Sequence, residues 1–259
     1  MVKLKKKLHQ IKQFVLFITV FGFFIGCSSP YSVQRIEGKQ LTVQHENILN
    51  QELENYISFY RNALTKEMDS VLAYNPVTLD KSKGLWQTNI GDFLADISFE
   101  AGAKIFTAKT SKNLSFCILN HGGIRSVIAK GNVTTRNAFE VMPFENNLII
   151  VELKGEDVVE LATYFINEKK PHPLSGLTLV INPENKIEKI LVQGNELELD
   201  QKYYVATSDY LANGGDNMLF FKKATQTFET DYKIRNIIID YFKNNDTLQF
   251  SNSQRVILK

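Results

Sequence analysis

The sequence predicts an α+β fold in which a mixed β-sheet is flanked by helices, and three observations carry that reading. Six short runs rich in β-branched and aromatic residues stand against four stretches of helical periodicity, so strands outnumber helices. Several neighbouring strands are joined by tight turns, which argues against a regular βαβ alternation. Beyond a charged and then apolar leader, about 230 residues remain, enough for one large domain or two small ones with a sizeable core.

The leader comes first in the chain. Lys3, Lys5, Lys6, Lys7 and Lys12 precede an uncharged apolar run from Phe14 to Ile25, the basic and apolar regions of a signal peptide. The run is short for a transmembrane helix, which needs roughly 20 apolar residues. It ends in Phe24-Ile25-Gly26-Cys27-Ser28-Ser29-Pro30, which resembles a bacterial lipobox, with bulky Phe24 where Leu is usual. That resemblance implies cleavage before Cys27 and acylation of its thiol and new amino terminus; the alternative is an uncleaved apolar anchor. Either reading places the globular part outside the cytoplasm, in the periplasm or at the cell surface, attached to the membrane. The expected organisation is therefore a signal peptide over 1–26, a lipid-anchored tether over 27–47 and one domain over 48–259.

Loss of residues 1–26 removes five lysines and no acid. The formal charge moves from +2 to −3, because 25 Lys and Arg then face 28 Asp and Glu. The basic balance of the whole chain thus belongs to the leader, and nucleic acid is not an expected partner. With Cys27 acylated, Cys117 is the remaining thiol, set in the apolar run Ser115-Phe116-Cys117-Ile118-Leu119 where a buried, inert cysteine is expected. Neither a disulfide framework nor a cysteine metal site follows.

Residues 28–47 are polar, with a strand expected around Leu41-Thr42-Val43. From Ile48 the residues Leu49, Leu53, Tyr56, Ile57, Tyr60, Leu64 and Met68 keep the spacing of an amphipathic helix that ends before Asn75-Pro76. Further helices are expected from Ile90 toward Ile105, from Glu156 to Glu168 and from Asp231 to Lys243. Strands are expected at Phe116–Leu119, Leu148–Leu153, Leu177–Ile181, Ile187–Val192, Tyr203–Thr207 and Arg255–Leu258, with Gly194-Asn195 supplying a hairpin turn.

Four segments interrupt the apolar runs with glycine and polar residues. In Asn120-His121-Gly122-Gly123-Ile124-Arg125 the paired glycines let backbone amides approach a ligand, and Arg125 offers a planar charged fork for phosphate or carboxylate. On spacing alone, a strand-ending turn with a surface arginine fits equally well. Met142-Pro143-Phe144-Glu145-Asn146-Asn147 carries a ring on a turn, more often a core plug than a stacking platform. Pro173-Leu174-Ser175-Gly176-Leu177 is by itself only a turn. In Ser208-Asp209-Tyr210-Leu211-Ala212-Asn213-Gly214-Gly215-Asp216-Asn217, Tyr210 offers a stacking face and Asp216 an acceptor for vicinal hydroxyls.

In this order and spacing the four segments resemble the C-terminal, substrate-binding domain of 5'-nucleotidases and UDP-sugar hydrolases. Thr88-Asn89-Ile90-Gly91-Asp92-Phe93-Leu94-Ala95-Asp96 resembles that domain's opening helix, so the likeness runs over roughly 48–258. The resemblance implies a nucleobase held between Phe144 and Tyr210, where tyrosine replaces the commoner phenylalanine. It places Asp216 on the ribose hydroxyls, Asn146 beside the base, Gly176 close to the base, and Asn120 and Arg125 toward the phosphate. Two positions depart from the pattern. His121 stands where a third glycine is usual, and upstream arginines give way to Lys81, Lys83 and Gln87, which weakens the expected phosphate clamp.

The metallophosphatase domain that accompanies this one in the family needs Asp-x-His, Gly-Asp-x-x-Asp, Gly-Asn-His-Asp and Gly-His-x-His signatures to hold two metals. The sequence contains none of them, and His9, His45, His121 and His172 are dispersed. A Gly-x-Ser-x-Gly elbow is missing as well. The expectation is a chain with no cofactor or catalytic residue of its own. It would be the nucleotide- or nucleoside-binding half of a split phosphohydrolase in nucleotide catabolism, with divalent metals on a separate metallophosphatase. The alternatives are a nucleoside-binding lipoprotein for uptake or sensing, and a structural relic with both rings packed inward.

Overall fold

The computed structural model describes residues 2–22, 35–40 and 50–259. The chain falls into two units, Met1–Leu49 and Asn50–Lys259. In the first, helix α1 (Val2–Gly22) covers the basic stretch and most of the apolar run. Among the described residues no helix is long and apolar enough to cross a membrane. Cys27 with its lipobox, and the strand expected at Leu41–Val43, lie outside the described residues.

The second unit opens with α2 (Gln51–Met68), capped by Asn50, whose side chain accepts the Leu53 N–H at 3.1 Å. The spacing of its apolar residues predicts this helix, yet Leu53, Tyr56, Tyr60 and Leu64 are all exposed and no residue of α2 is buried. The periodicity here reports a helix without a covered face. Strand β1 (Val71–Asn75) follows, then α3 (Asn89–Thr110), where the Thr88 hydroxyl accepts the Gly91 N–H. Next come β2 (Phe116–Ile118), β3 (Gly131–Thr134), α4 (Thr135–Val141), β4 (Asn147–Lys154) and α5 (Gly155–Glu168). The remainder is β5 (Leu174–Ser175), β6 (Leu177–Ile181), β7 (Ile187–Val192), β8 (Asn195–Glu196), β9 (Lys202–Ser208), α6 (Asp209–Ala212), β10 (Gln226–Lys233), α7 (Ile234–Asn244) and β11 (Val256–Leu258).

A five-stranded mixed sheet, ordered β10-β4-β9-β2-β5, forms the centre. Within it β2 and β9 run parallel and every other pair antiparallel. A four-stranded sheet β11-β6-β7-β8 and the antiparallel ribbon β1-β3 complete the architecture. The α+β class expected from the sequence is the class observed. Among the boundaries that differ, two follow from strand pairing. Asp231–Lys233 belong to β10 rather than α7, because Tyr232 and Lys233 pair with Leu148 and Asn147 of the buried strand β4. The hairpin between β7 and β8 turns on Gln193-Gly194, both in the left-handed region, while Asn195 already pairs with Val192.

The inner strands β2, β4 and β9 are buried on both faces, which is why they read as nearly continuous apolar runs, while β10 forms an exposed edge. Along β4, Leu148 and Ile150 face a core with Ile90, Phe93, Leu94 and Phe106 of α3 and Ile237 and Ile238 of α7. Ile149, Val151 and Leu153 face the opposite core, with Val158, Leu161 and Phe165 of α5 and Leu177 and Leu179 of β6. Each fully buried aromatic or branched side chain contributes about 1.5–3 kcal/mol of burial. Cys117 lies in the first core, and burial pushes its thiol far above the ordinary range, so it is inert at neutral pH. This two-sided core makes rigid posts of β2, β4 and β9, and the loops at their ends carry three of the four polar segments singled out above, the remaining one lying at β5.

Candidate functional site

The end of β2 delivers Asn120 and a short 3₁₀ turn, His121–Gly123. Gly123 is buried, and a β-carbon there would sit 2.8 Å from Asn120 Oδ1, so glycine lets the turn close over the asparagine. The Asn120 amide donates to Asp216 Oδ2 at 2.9 Å, joining the first polar segment to the fourth. Arg125 donates weakly to the Gly122 carbonyl at 3.3 Å, and its guanidinium carbon lies 5.8 Å from the centre of the Phe144 ring.

The end of β9 delivers Tyr210 and Asp216 as one closed unit. The Tyr210 hydroxyl donates to Asp216 Oδ1 at 2.8 Å and accepts the Asp216 N–H at 3.2 Å. Gly215 packs under the Tyr210 ring, where a β-carbon would lie 2.5 Å from two ring carbons. Asp216 itself takes φ +50°, a left-handed conformation that aspartate tolerates better than most residues.

The loop before β4 delivers Phe144 and Asn146, with Glu145 between them turned away toward Lys233 and Arg235. Those two cations hold the Glu145 carboxyl down to about 2 through hydrogen bonds. The Arg235 guanidinium also covers the Phe139 ring at 4.0 Å. The loop is joined to the start of α6 through Asn147, whose N–H donates to Asp209 Oδ2 at 3.1 Å.

Asn120, Arg125, Phe144, Asn146, Tyr210 and Asp216 converge on one cavity of about 310 Å³, with Gly122 and Gly123 completing its wall. Phe144 and Tyr210 are 40 % and 45 % exposed, so neither ring is plugged into the core. A volume near 300 Å³ is at the small end of ligand sites, and the wall combines two rings with one cation and one carboxylate. Gly176 is not part of it. Because β5 runs antiparallel to β2, Gly176 packs against Ser115 and Phe116, at the end of β2 away from Asn120. Its φ of +78° and the 3.2 Å between a β-carbon there and the Phe116 Cα make it a structural glycine.

The His121 imidazole does not line the cavity either. Its Nδ1 is buried without a hydrogen-bond partner, and burial lowers its pKa below the ordinary histidine value. Lys81 reaches the back of the turn through the Ile124 carbonyl, and Gln87 bonds Asp92 and the backbone of Arg255. Arg125 is therefore the cation that lines the cavity. Among the described residues no three His, Cys, Asp or Glu side chains come together in a way that would hold a metal ion. The dinuclear centre of a metallophosphatase does not fit the described residues.

A profile of the family described as "5'-nucleotidase, C-terminal domain" matches residues 72–223. The chain belongs to this family. This 5'-nucleotidase C-terminal domain is 25% identical over 211 residues to the trifunctional nucleotide phosphoesterase YfkN of Bacillus subtilis, covering 75% of this chain and 14% of that protein. It is 29% identical over 153 residues to the cell wall protein Lmo0130 of Listeria monocytogenes, covering 53% and 19%. Its fold matches the 5'-nucleotidase precursor of Thermus thermophilus with a TM-score of 0.65 at 22% identity, over 80% of this chain and 43% of that one. The NAD nucleotidase of Haemophilus influenzae gives 0.62 at 17% identity, over 81% and 41%. The chain spans less than half the length of each of these relatives.

Proposed function

We propose that this chain is the nucleotide- or nucleoside-capturing half of a split 5'-nucleotidase, anchored outside the cytoplasm by lipid at Cys27. The divalent metals and the hydrolytic step belong to a separate metallophosphatase chain. The observation that carries the reading is the convergence of Phe144, Tyr210, Asp216, Asn146, Asn120 and Arg125 on one cavity.

In this reading the base stacks between the Phe144 and Tyr210 rings, and Asn146 bonds its edge. Asp216 accepts from the ribose hydroxyls, using the lone pairs that its contacts with Tyr210 and Asn120 leave open. The Arg125 guanidinium turns to the phosphate, whose two oxygens match its fork. With one cation in the wall, the phosphate is held loosely until the partner's metals engage it.

The test combines binding and phosphate release. The purified full-length chain is titrated with adenosine and AMP by calorimetry, and phosphate release from AMP is followed for the chain alone and for the complex it forms in native membranes. The expected result is binding without release by the chain alone, and release by the complex that stops on chelation. Phosphate release by the isolated chain after chelation refutes the split enzyme. Binding with no associated phosphatase supports a lipoprotein that serves uptake or sensing instead.

A further inference from the structure

The two loops that meet through Asn120 and Asp216 are also tied back to a common support, α5 and the segment that joins it to β5. His172, on that segment, is 3 % exposed, and its Nδ1 accepts the His121 N–H at 3.2 Å. A ring nitrogen that accepts carries no proton, so this histidine is neutral with hydrogen on Nε2. Nε2 has no partner among the described residues, which leaves the His121 amide as the contact that orients the ring. Tyr164 of α5 lies beside it, ring centres 5.8 Å apart, and donates from its hydroxyl to the Asp216 carbonyl at 2.7 Å. Phe165 covers the imidazole from the same helix at 5.9 Å. His172 thus fastens the turn that supplies Gly122, Gly123 and Asn120, while Tyr164 fastens the loop that supplies Asp216. Neither side chain lines the cavity.

We propose that His172 is a positioning residue for the nucleotide pocket: its neutral imidazole, through the His121 amide, holds the glycine turn in the binding form, and its protonation lets the turn go. The proposal rests on the reading of the cavity as a nucleotide site. A proton on Nδ1 sets one N–H against another and strips the amide of its acceptor, so the turn loses its tie to the α5–β5 segment.

The charged groups around the ring pull in both directions. Burial lowers the histidine most, His121 and Lys170 add to that, and Asp216 and Glu168 oppose it; burial wins, and the ring titrates at about 4 against an ordinary 6.5. The folded value is the depressed one, so the unfolded chain takes up the proton first as pH falls. The stability this contact contributes is fully present above 6.5 and is lost as pH falls through about 4, where the contact itself breaks.

Two variants of the full-length chain separate positioning from simple packing. His172→Asn keeps an acceptor near the Nδ1 position and cannot take up a proton, whereas His172→Leu removes the acceptor. Adenosine affinity is measured by calorimetry from pH 7 to pH 4, and the protection of the His121 amide by hydrogen exchange in the ligand-free protein.

His172→Leu is expected to lose at least about fivefold in affinity at pH 7, with a cooperative melt and faster exchange at His121. His172→Asn should bind within about threefold of the wild type at pH 7. The ratio of wild-type to His172→Asn dissociation constants should then rise about twofold by pH 4, since half the wild-type protein has lost its binding form. A constant ratio across that range overturns the proposal, as does a His172→Leu variant with unprotected His121 and unchanged affinity. If the wild type binds neither adenosine nor AMP, the nucleotide reading itself fails. The exchange data then decide His172's part alone: acid loss of protection that disappears in His172→Asn sustains it, and protection indifferent to residue 172 overturns it.

Discussion

Tyr210 is held by bonds inside its own segment, whereas Phe144 is held through Glu145 by side chains 88 and 90 positions further along the chain. The tyrosine hydroxyl both donates to and accepts from Asp216, and its ring lies on Gly215. The ring contacts of that wall are local, while Asn120 and Tyr164 brace Asp216 from other elements. The Phe144 wall depends instead on β10 and α7 being in place, because Lys233 ends β10 and Arg235 sits in the first turn of α7. The two walls touch different parts of the fold and meet at the Asn147–Asp209 bond. A pocket with one wall of short-range ring contacts and one wall hung on ion pairs from exposed Glu145 to half-exposed Lys233 and buried Arg235 should respond unequally to substitution, and that asymmetry is open to attack from either side.

The heaviest blow falls on the Tyr210 wall. In Gly215→Ala the new methyl sits 2.5 Å from the Tyr210 ring and 2.6 Å from the Tyr210 carbonyl oxygen, so either ring or backbone must move. Overpacking of this kind costs about 1–3 kcal/mol, which in a domain of this size lowers the melting temperature by about 2–4 °C per kcal/mol. Adenosine binding is expected to be lost with it, because Asp216 and Tyr210 shift together. A variant that melts and binds like the wild type would show that the ring is not seated on the glycine.

The segments that line the cavity stand out because polar or glycine positions interrupt apolar runs at the ends of buried strands: Asn120 after β2, Phe144 and Asn146 before β4, Tyr210 after β9. The breaks alone leave a plain turn and a core plug open, and the choice of residues rests on the family resemblance. Such breaks show in one dimension. Gly176 was misplaced because its position follows from the antiparallel pairing of β5 with β2, which no local pattern states. β10 escaped notice because Gln226, Thr227, Glu229 and Asp231 lie on an exposed edge and mask the strand alternation. His172 and Tyr164 escaped for another reason: they act through backbone atoms of distant loops, and an isolated histidine beside prolines carries no motif. The stripe on α2 was read correctly as helical, yet periodicity does not say whether anything covers it.

Next in size is the Phe144 wall itself. Phe144 is 40 % exposed, so Phe144→Ala should change stability by no more than about 0.5 kcal/mol, as surface substitutions do. Its cost appears in affinity, roughly 1–3 kcal/mol of lost stacking on the base. The check is a melting curve beside a calorimetric titration with adenosine. Equal losses in the two measurements would mean that the ring supports the fold and not a ligand, which is the relic reading.

The smallest expected effect comes from loosening the wall without removing the ring. Glu145→Gln keeps the shape of the side chain and an acceptor for Lys233 and Arg235 but discharges it, so the loop carrying Phe144 and Asn146 loses its ionic hold. Glu145 is exposed and Lys233 half-exposed, so water screens that pair, while buried Arg235 keeps the new amide oxygen as an acceptor and its own place over the Phe139 ring; the variant should weaken adenosine binding by no more than about fivefold. Added salt should reproduce that loss in the wild type and leave the variant almost unaffected, since screening acts on the same pair. AMP must not be used for this comparison, because Arg125 would bring a salt dependence of its own. If salt weakens adenosine binding equally in both proteins, the hold on Phe144 lies in the Asn146–Ile234 backbone bond and the packing around it, and the contrast between the two walls shrinks to the Tyr210–Asp216 hydrogen bonds.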